Sequence, residues 1–139
     1  MTPAEARDVL SAMVKTAWDS AASGAALLYD NDREQHPPKD ASLWGRLHIQ
    51  HDVGDRVTIG DGEAALFRDK GRLSVQLFAP PRFGTLAVET LAGDLLIALR
   101  AANPAGIRIH RVLVKDVGPD GTFYQMNVEL AFQYDTQGS

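Results

Sequence analysis

The 139-residue chain contains no cysteine, so no disulfide framework holds it together. None is required, because a domain of this length buries roughly two thirds of the surface its unfolded chain exposes. The absence also fits assembly in a reducing cytoplasm. Long apolar runs are missing too. None approaches the ~20 residues that span a bilayer, and Met1 to Glu5 lack the basic and apolar regions of a signal peptide. Positive charge is in deficit: 14 Lys and Arg against 18 Asp and Glu give a net charge of −4 and a pI near 5.5. A surface devoted to gripping phosphates, and with it sequence-general DNA binding, is not expected, since such binding draws its affinity from Lys and Arg displacing counterions.

Two periodicities fill what remains. Thr2, Pro3 and Glu5 form a helix start of the capping-box kind. Behind it Val9, Leu10, Met13, Val14, Ala17 and Trp18 recur at spacings of three and four, and Gly24 offers a stop. A short apolar run, Ala26 to Tyr29, precedes Asp30 to Ser42, a polar stretch with Pro37 and Pro38 that reads as a long surface loop and a candidate contact surface.

From Leu43 the period is two. Leu43, Gly45, Leu47 and Ile49 face one way and Trp44, Arg46, His48 and Gln50 the other. Short strands are expected at Val57 to Ile59 and around Ala65 to Arg68, with turns at Gly60 to Gly62 and at Asp69 to Gly71. A strand follows over Arg72 to Ala79. Pro80 and Pro81 end it, and Thr85 caps a second helix whose stripe is Val88, Leu91, Ala92, Leu95, Leu96 and Leu99. Asn103 to Gly106 stop that helix. Ile107 to Val117, a turn at Gly118 to Gly121, and Phe123 to Tyr134 form a terminal hairpin, in which Tyr124, Met126, Val128, Leu130, Phe132 and Tyr134 share a face. Asp135 to Ser139 have nothing to bury and are expected to fray, with residues 136–139 as a disordered tail. The order predicts one α+β domain over residues 1–139, a mainly antiparallel sheet with two helices packed on one face.

Catalytic patterns are sparse. Phosphate-cradling loops, dinucleotide fingerprints, zincin helices and nucleophile elbows do not occur. His48 and His51, three apart on a strand, point to opposite faces and cannot jointly hold a metal. His36 and His110 stand alone, so exposed strand or loop histidines are the expected reading. Asp30, Asp32 and Glu34 lack the Gly and terminal Glu of a calcium loop. Asp116 and Asp120 sit beside a turn, where Asp serves backbone hydrogen bonding. Trp44 and Tyr124, aromatics in alternating strands, are expected in a core or subunit contact. No catalytic residue, metal or cofactor is expected.

Three stretches together resemble the phage tail terminator family, the small lambda-type terminator-like proteins of siphophage and prophage tails. They are Arg72 to Pro81 with Gly84, then Val117 to Gly121, then Tyr124 to Val128 running on through Phe132 to Asp135. The start, Ala4 to Arg7 leading to Ala17, Trp18 and Asp19, is similar as well. The loop His36 to Lys39 has no match. The resemblance implies a non-enzymatic virion protein that ends tail-tube growth as a ring, commonly hexameric, and presents a surface for head attachment. Its partners would be copies of itself, the tail tube protein and head connector proteins, with no specific nucleic acid and no membrane. It would assemble in the host cytoplasm and remain in the virion tail.

A ring needs a heterologous interface, one patch meeting a different one. The segment His51 to Gly71 is the expected location, with Val57, Ile59, Leu66, Phe67, Arg68 and Arg72 as candidate contacts. Burial against a neighbouring subunit or against its own sheet would each account for its apolar content. A lumen that passes DNA should be neutral or negative, so that phosphates slide. The competing functions are another neck or tail-completion protein and, from a different class, a small-molecule-binding α+β domain with a pocket lined by Trp18, Leu91 and Phe132.

Overall fold

The computed structural model describes residues 1–22, 25–29, 43–56, 66–80, 84–120 and 123–137. The element order is α1 (Pro3–Ala21), β1 (Ala26–Tyr29), β2 (Trp44–Arg56), β3 (Leu66–Ala79), α2 (Gly84–Ala101), β4 (Ile107–Asp120) and β5 (Phe123–Gln137). The strands form a five-stranded sheet in the order β1-β2-β3-β5-β4, antiparallel except for the β1–β2 pair. This is the α+β architecture that the sequence predicts.

Helix α1 begins as its first five residues dictate. The Thr2 hydroxyl accepts from the Glu5 amide at 3.2 Å and the Glu5 carboxylate accepts from the Thr2 amide at 3.0 Å, so two otherwise orphaned donors are satisfied reciprocally. That bonding holds the exposed Glu5 carboxyl below its ordinary value. The helix stops at Ala21 with Ala22 as its cap; Gly24, the expected stop, lies outside the described residues. Leu10, Val14, Ala17 and Trp18 turn inward, and the Trp18 indole donates to the Ala25 carbonyl at 3.0 Å. Helix α2 buries Val88, Leu91, Ala92, Leu95 and Leu99. It already includes Thr85, which therefore sits inside the first turn and is not its cap.

Helices α1 and α2 lie against each other, α1 over β2 and α2 over β3, β5 and β4. Beneath them every second strand residue points into one core. Leu47 and Ile49, then Leu73, Val75 and Leu77, then Met126, Val128, Leu130, Phe132 and Tyr134 are all buried. Period-two patterning placed all of these correctly.

Three further local expectations are overturned. Asp69 to Gly71 make no turn, because β3 runs unbroken from Leu66 to Ala79 and pairs on both sides there, Gly71 with His51 and with Phe132. Glycine is required at that point: a Cβ would lie 2.5 Å from the Gln50 carbonyl oxygen and 2.5 Å from Cζ of Phe132. Of the turn expected over Gly118 to Gly121, Gly118 to Asp120 likewise belong to β4, with Asp120 opposite Phe123, and Gly121 lies outside the described residues. Gly118, at φ +89°, takes the left-handed conformation beside a register shift, so what reads as a turn is a bulge. Finally, Asp135 to Gln137 do not fray. They pair with Leu66 to Arg68, and the Thr136 hydroxyl donates to Asp69 at 2.6 Å. The run Ala26 to Tyr29, unassigned from sequence, is β1, registered in parallel with Trp44 to Leu47. The expected loop at residues 30–42, the strand at Val57 to Ile59 and the turn at Gly60 to Gly62 fall outside the described residues.

Candidate interaction surface

The sheet face away from α1 and α2 is built from the other half of each strand. Cross-strand register sets its side chains in rows: Trp44 beside Phe78; Arg46, Gln76, Asn127 and Lys115; His48, Ser74, Glu129 and Leu113; Gln50, Arg72, Ala131 and Arg111. Lys70, Gln133 and Arg108 continue it, followed by Arg68 beside Asp135. Half of the chain's 14 Lys and Arg therefore stand on one face of a chain whose net charge is −4. Four carboxylates accompany them, Glu129, Asp52, Asp55 and Asp135. Two of these are occupied, Asp52 by Arg72 at 3.2 Å and Asp135 by Arg68 at 3.1 Å.

A cleft of about 290 Å³ indents the middle of this face, bounded by His48, Ser74, Arg111, Leu113, Asn127 and Glu129. The Ser74 hydroxyl is buried at its floor with no hydrogen-bond partner among the described residues. Gln125 and Asn127 are both buried, and the Gln125 side-chain amide donates to Oδ1 of Asn127 at 3.0 Å. At one end an aromatic cluster replaces the polar rows. Trp44 stacks on Phe78 with centroids 4.2 Å apart, Phe123 meets both edge-on, Leu28 joins them, and Arg46 lies 5.5 Å above the Trp44 ring.

One carbonyl on β2 and one on the edge strand β4 are each taken up by a helix arginine. Arg7 of α1 donates to the Ile49 carbonyl at 3.2 Å, and Arg100 of α2 donates to the Val112 carbonyl at 2.9 Å. Strand β4 adds two bulges, Pro119 and Lys115, all features that discourage pairing along an edge. On the outer side of α2, Leu86 is 74% and Ile97 70% exposed. They lie eleven positions apart and so share a line on the helix with Thr90 and Gly93, flanked by the exposed Glu89 and Asp94.

The contacts expected from sequence do not form one patch. Val57 and Ile59 lie outside the described residues. Leu66, Arg68 and Arg72 project to the polar face, with Arg72 exposed and Arg68 half-buried, whereas Phe67, half-buried, alternates to the other side. His48 lines the cleft while His51 faces the opposite way, its Nδ1 3.2 Å from the Tyr134 hydroxyl and its ring edge-on to Phe132. His110 meets the Gln133 amide. Among the described residues no three His, Asp or Glu side chains converge as a metal site. Asp116 accepts from the Tyr124 hydroxyl at 2.6 Å, which raises the phenol's pKa. Trp18, Leu91 and Phe132, the lining proposed for a small-molecule pocket, are at most 4% exposed within the solid core. No described helix is long and apolar enough to cross a membrane.

Sequence reasoning missed Leu86, Ile97 and the basic face. Both apolar residues stand off the buried stripe of α2, which is a readable signal. The face needs register as well as sequence.

No family model matches the chain, and no curated protein matches its sequence. A solved structure of a protein of similar length superposes with a TM-score of 0.58 at 14% identity, over 93% of this chain and 98% of the other. That likeness is one of fold.

Proposed function

We propose that this chain is a structural subunit of a phage tail that caps the tail tube as a ring, ends tube polymerisation and presents a surface for head attachment. One observation carries the reading. The apolar stripes of both helices and the inner face of the sheet are buried against each other, while the outer surface carries two patches of different kind, a basic sheet face and the exposed Leu86 and Ile97 on α2, and unlike patches are what a ring of identical copies needs. Of the stretches that resemble the tail terminator family, Arg72 to Ala79 lie in the central strand β3, Val117 to Asp120 at the end of β4 and Tyr124 to Asp135 in β5. Under this reading the activity is binding, and no side chain acts as acid, base or nucleophile. Adding the purified protein to polymerising tail tube subunits tests it: growth should stop at one tube end, and unaltered elongation would refute the cap.

The sheet-face cleft favours a second reading, binding of a small polar molecule. Its volume of about 290 Å³ is at the low end for ligand sites, and the Ser74 hydroxyl within it has no hydrogen-bond partner among the described residues. A metabolite panel in thermal-shift format separates the two, since a ligand that binds only the folded state raises the melting temperature.

A further inference from the structure

The two sides of the molecule carry opposite charge. Across the helix layer stand the exposed carboxylates Glu5, Asp8, Asp19, Glu89 and Asp94. Its bases are already engaged, Lys15 with Asp19 and Arg7 and Arg100 with the edge carbonyls. On the sheet face the reverse holds. Lys70, Arg108, Arg111 and Lys115 are exposed and have no ion-pair partner among the described residues.

We infer that the polar sheet face receives the outer side of α2 from a second copy of this chain, with Glu89 and Asp94 against Arg111 and Lys115, and Leu86 or Ile97 entering the cleft beside Leu113. This rests on the ring reading above and names the surfaces it uses. Charge complementarity points to the occupant: the acidic surface that suits the basic face is carried by every copy, on its opposite side. Apolar content agrees, because α2 offers two large exposed side chains and the cleft offers Leu113 and Ala131 between polar groups. Gly93 helps, since nothing lies within 4 Å of where its Cβ would be, so a neighbour can approach the helix backbone closely. Joining edges instead would displace the Arg7 and Arg100 caps. Lining a DNA passage with this face would make phosphates stick, where an acidic or neutral wall lets them slide. Because donor and acceptor patches lie on opposite sides of one copy, the contact is heterologous, and copies joined through it form a ring where the rotation between neighbours closes and a filament where it does not.

Two double variants test the inference. Arg111→Glu with Lys115→Glu makes the sheet patch acidic, and Glu89→Lys with Asp94→Lys makes the helix patch basic. All four positions are exposed, so both proteins should keep the circular dichroism spectrum and melting temperature of the parent. Sedimentation velocity at low ionic strength should find the parent self-associating, and added salt should weaken that association. Each variant alone should associate at least about tenfold more weakly, and their equimolar mixture should recover, because every contact in it is again between unlike charges. Recovery on mixing cannot come from misfolding. A parent that stays monomeric, variants that associate normally, or a mixture that stays weak would each overturn the inference. So would tight binding of fluorescent duplex DNA that is lost only in the Arg111, Lys115 variant, which would assign the face to nucleic acid. Failure of this contact and failure of the ring reading are separable in particles. Variants that still cap tails leave the ring in place through other surfaces, whereas normal joined tails without any of the protein remove the ring itself.

Discussion

The two faces of one sheet are built from the same strands and differ in what they leave unfinished. Toward α1 and α2, alternate residues from Leu47 to Tyr134 are buried and meet apolar partners. Toward the other side the same strands present guanidinium, ammonium, amide and hydroxyl groups, and two of that face's groups, the Ser74 hydroxyl and the Trp44 indole N–H, are buried without a hydrogen-bond partner among the described residues. Closing the core satisfies the first face entirely. The second is left with charged and polar groups that the core does not use, so the buried and the exposed chemistry are divided between alternate positions of the same strands.

The sharpest way to break that comparison is a pair of substitutions three residues apart on β5. Phe132→Ala empties a site 1% exposed and should cost about 3–5 kcal/mol in denaturant unfolding. Glu129→Ala, on the polar face, should cost no more than about 0.5 kcal/mol. Equal losses would mean that the polar face is as structural as the core.

Gly71→Ala comes next. Its Cβ would meet backbone and the Phe132 ring at 2.5 Å, so the strand or the ring must shift, at about 1–3 kcal/mol by the same measurement. Thr2→Ala removes the capping box of α1, on the helix side, and should cost about 1 kcal/mol at neutral pH. Part of that difference has a pH signature. The Glu5 pKa is lowered by folding, so its contribution is present above the ordinary value of 4.5 and is lost as pH falls through the lowered one. The gap between Thr2→Ala and parent should therefore narrow on acidification below about 4.5. Tyr134 behaves oppositely: burial raises its pKa above the ordinary 10.0, so the stability tied to its neutral form holds below that value and is lost as pH rises through the raised one. Tyr134→Phe should flatten the alkaline limb of a stability–pH curve. Smallest of all, Leu86→Asn with Ile97→Asn should change stability by about 0.5 kcal/mol or less while abolishing assembly, which separates surface function from folding.

Much of the first face is legible in the sequence and little of the second. Thr2, Pro3 and Glu5 name the helix start, and strict alternation from Tyr124 to Tyr134 names the buried side of β5, because burial of one face repeats every second residue. The turn expected at Asp69 to Gly71 fails because its composition is that of a turn, while pairing to β2 and β5 at once holds it extended. Strand β1 escapes notice since four residues bordering a polar stretch carry too few repeats to set a period. The basic face is invisible to the net charge, which adds the two sides together. Only register brings Arg46, Lys115, Arg72 and Arg111 onto one surface, and register is a property of paired strands.

Electron microscopy of tails assembled in the absence of this protein tests the central claim most directly. The account predicts tubes of uncontrolled length without attached heads, restored to normal by supplying the chain. Tails of normal length joined to heads would contradict it.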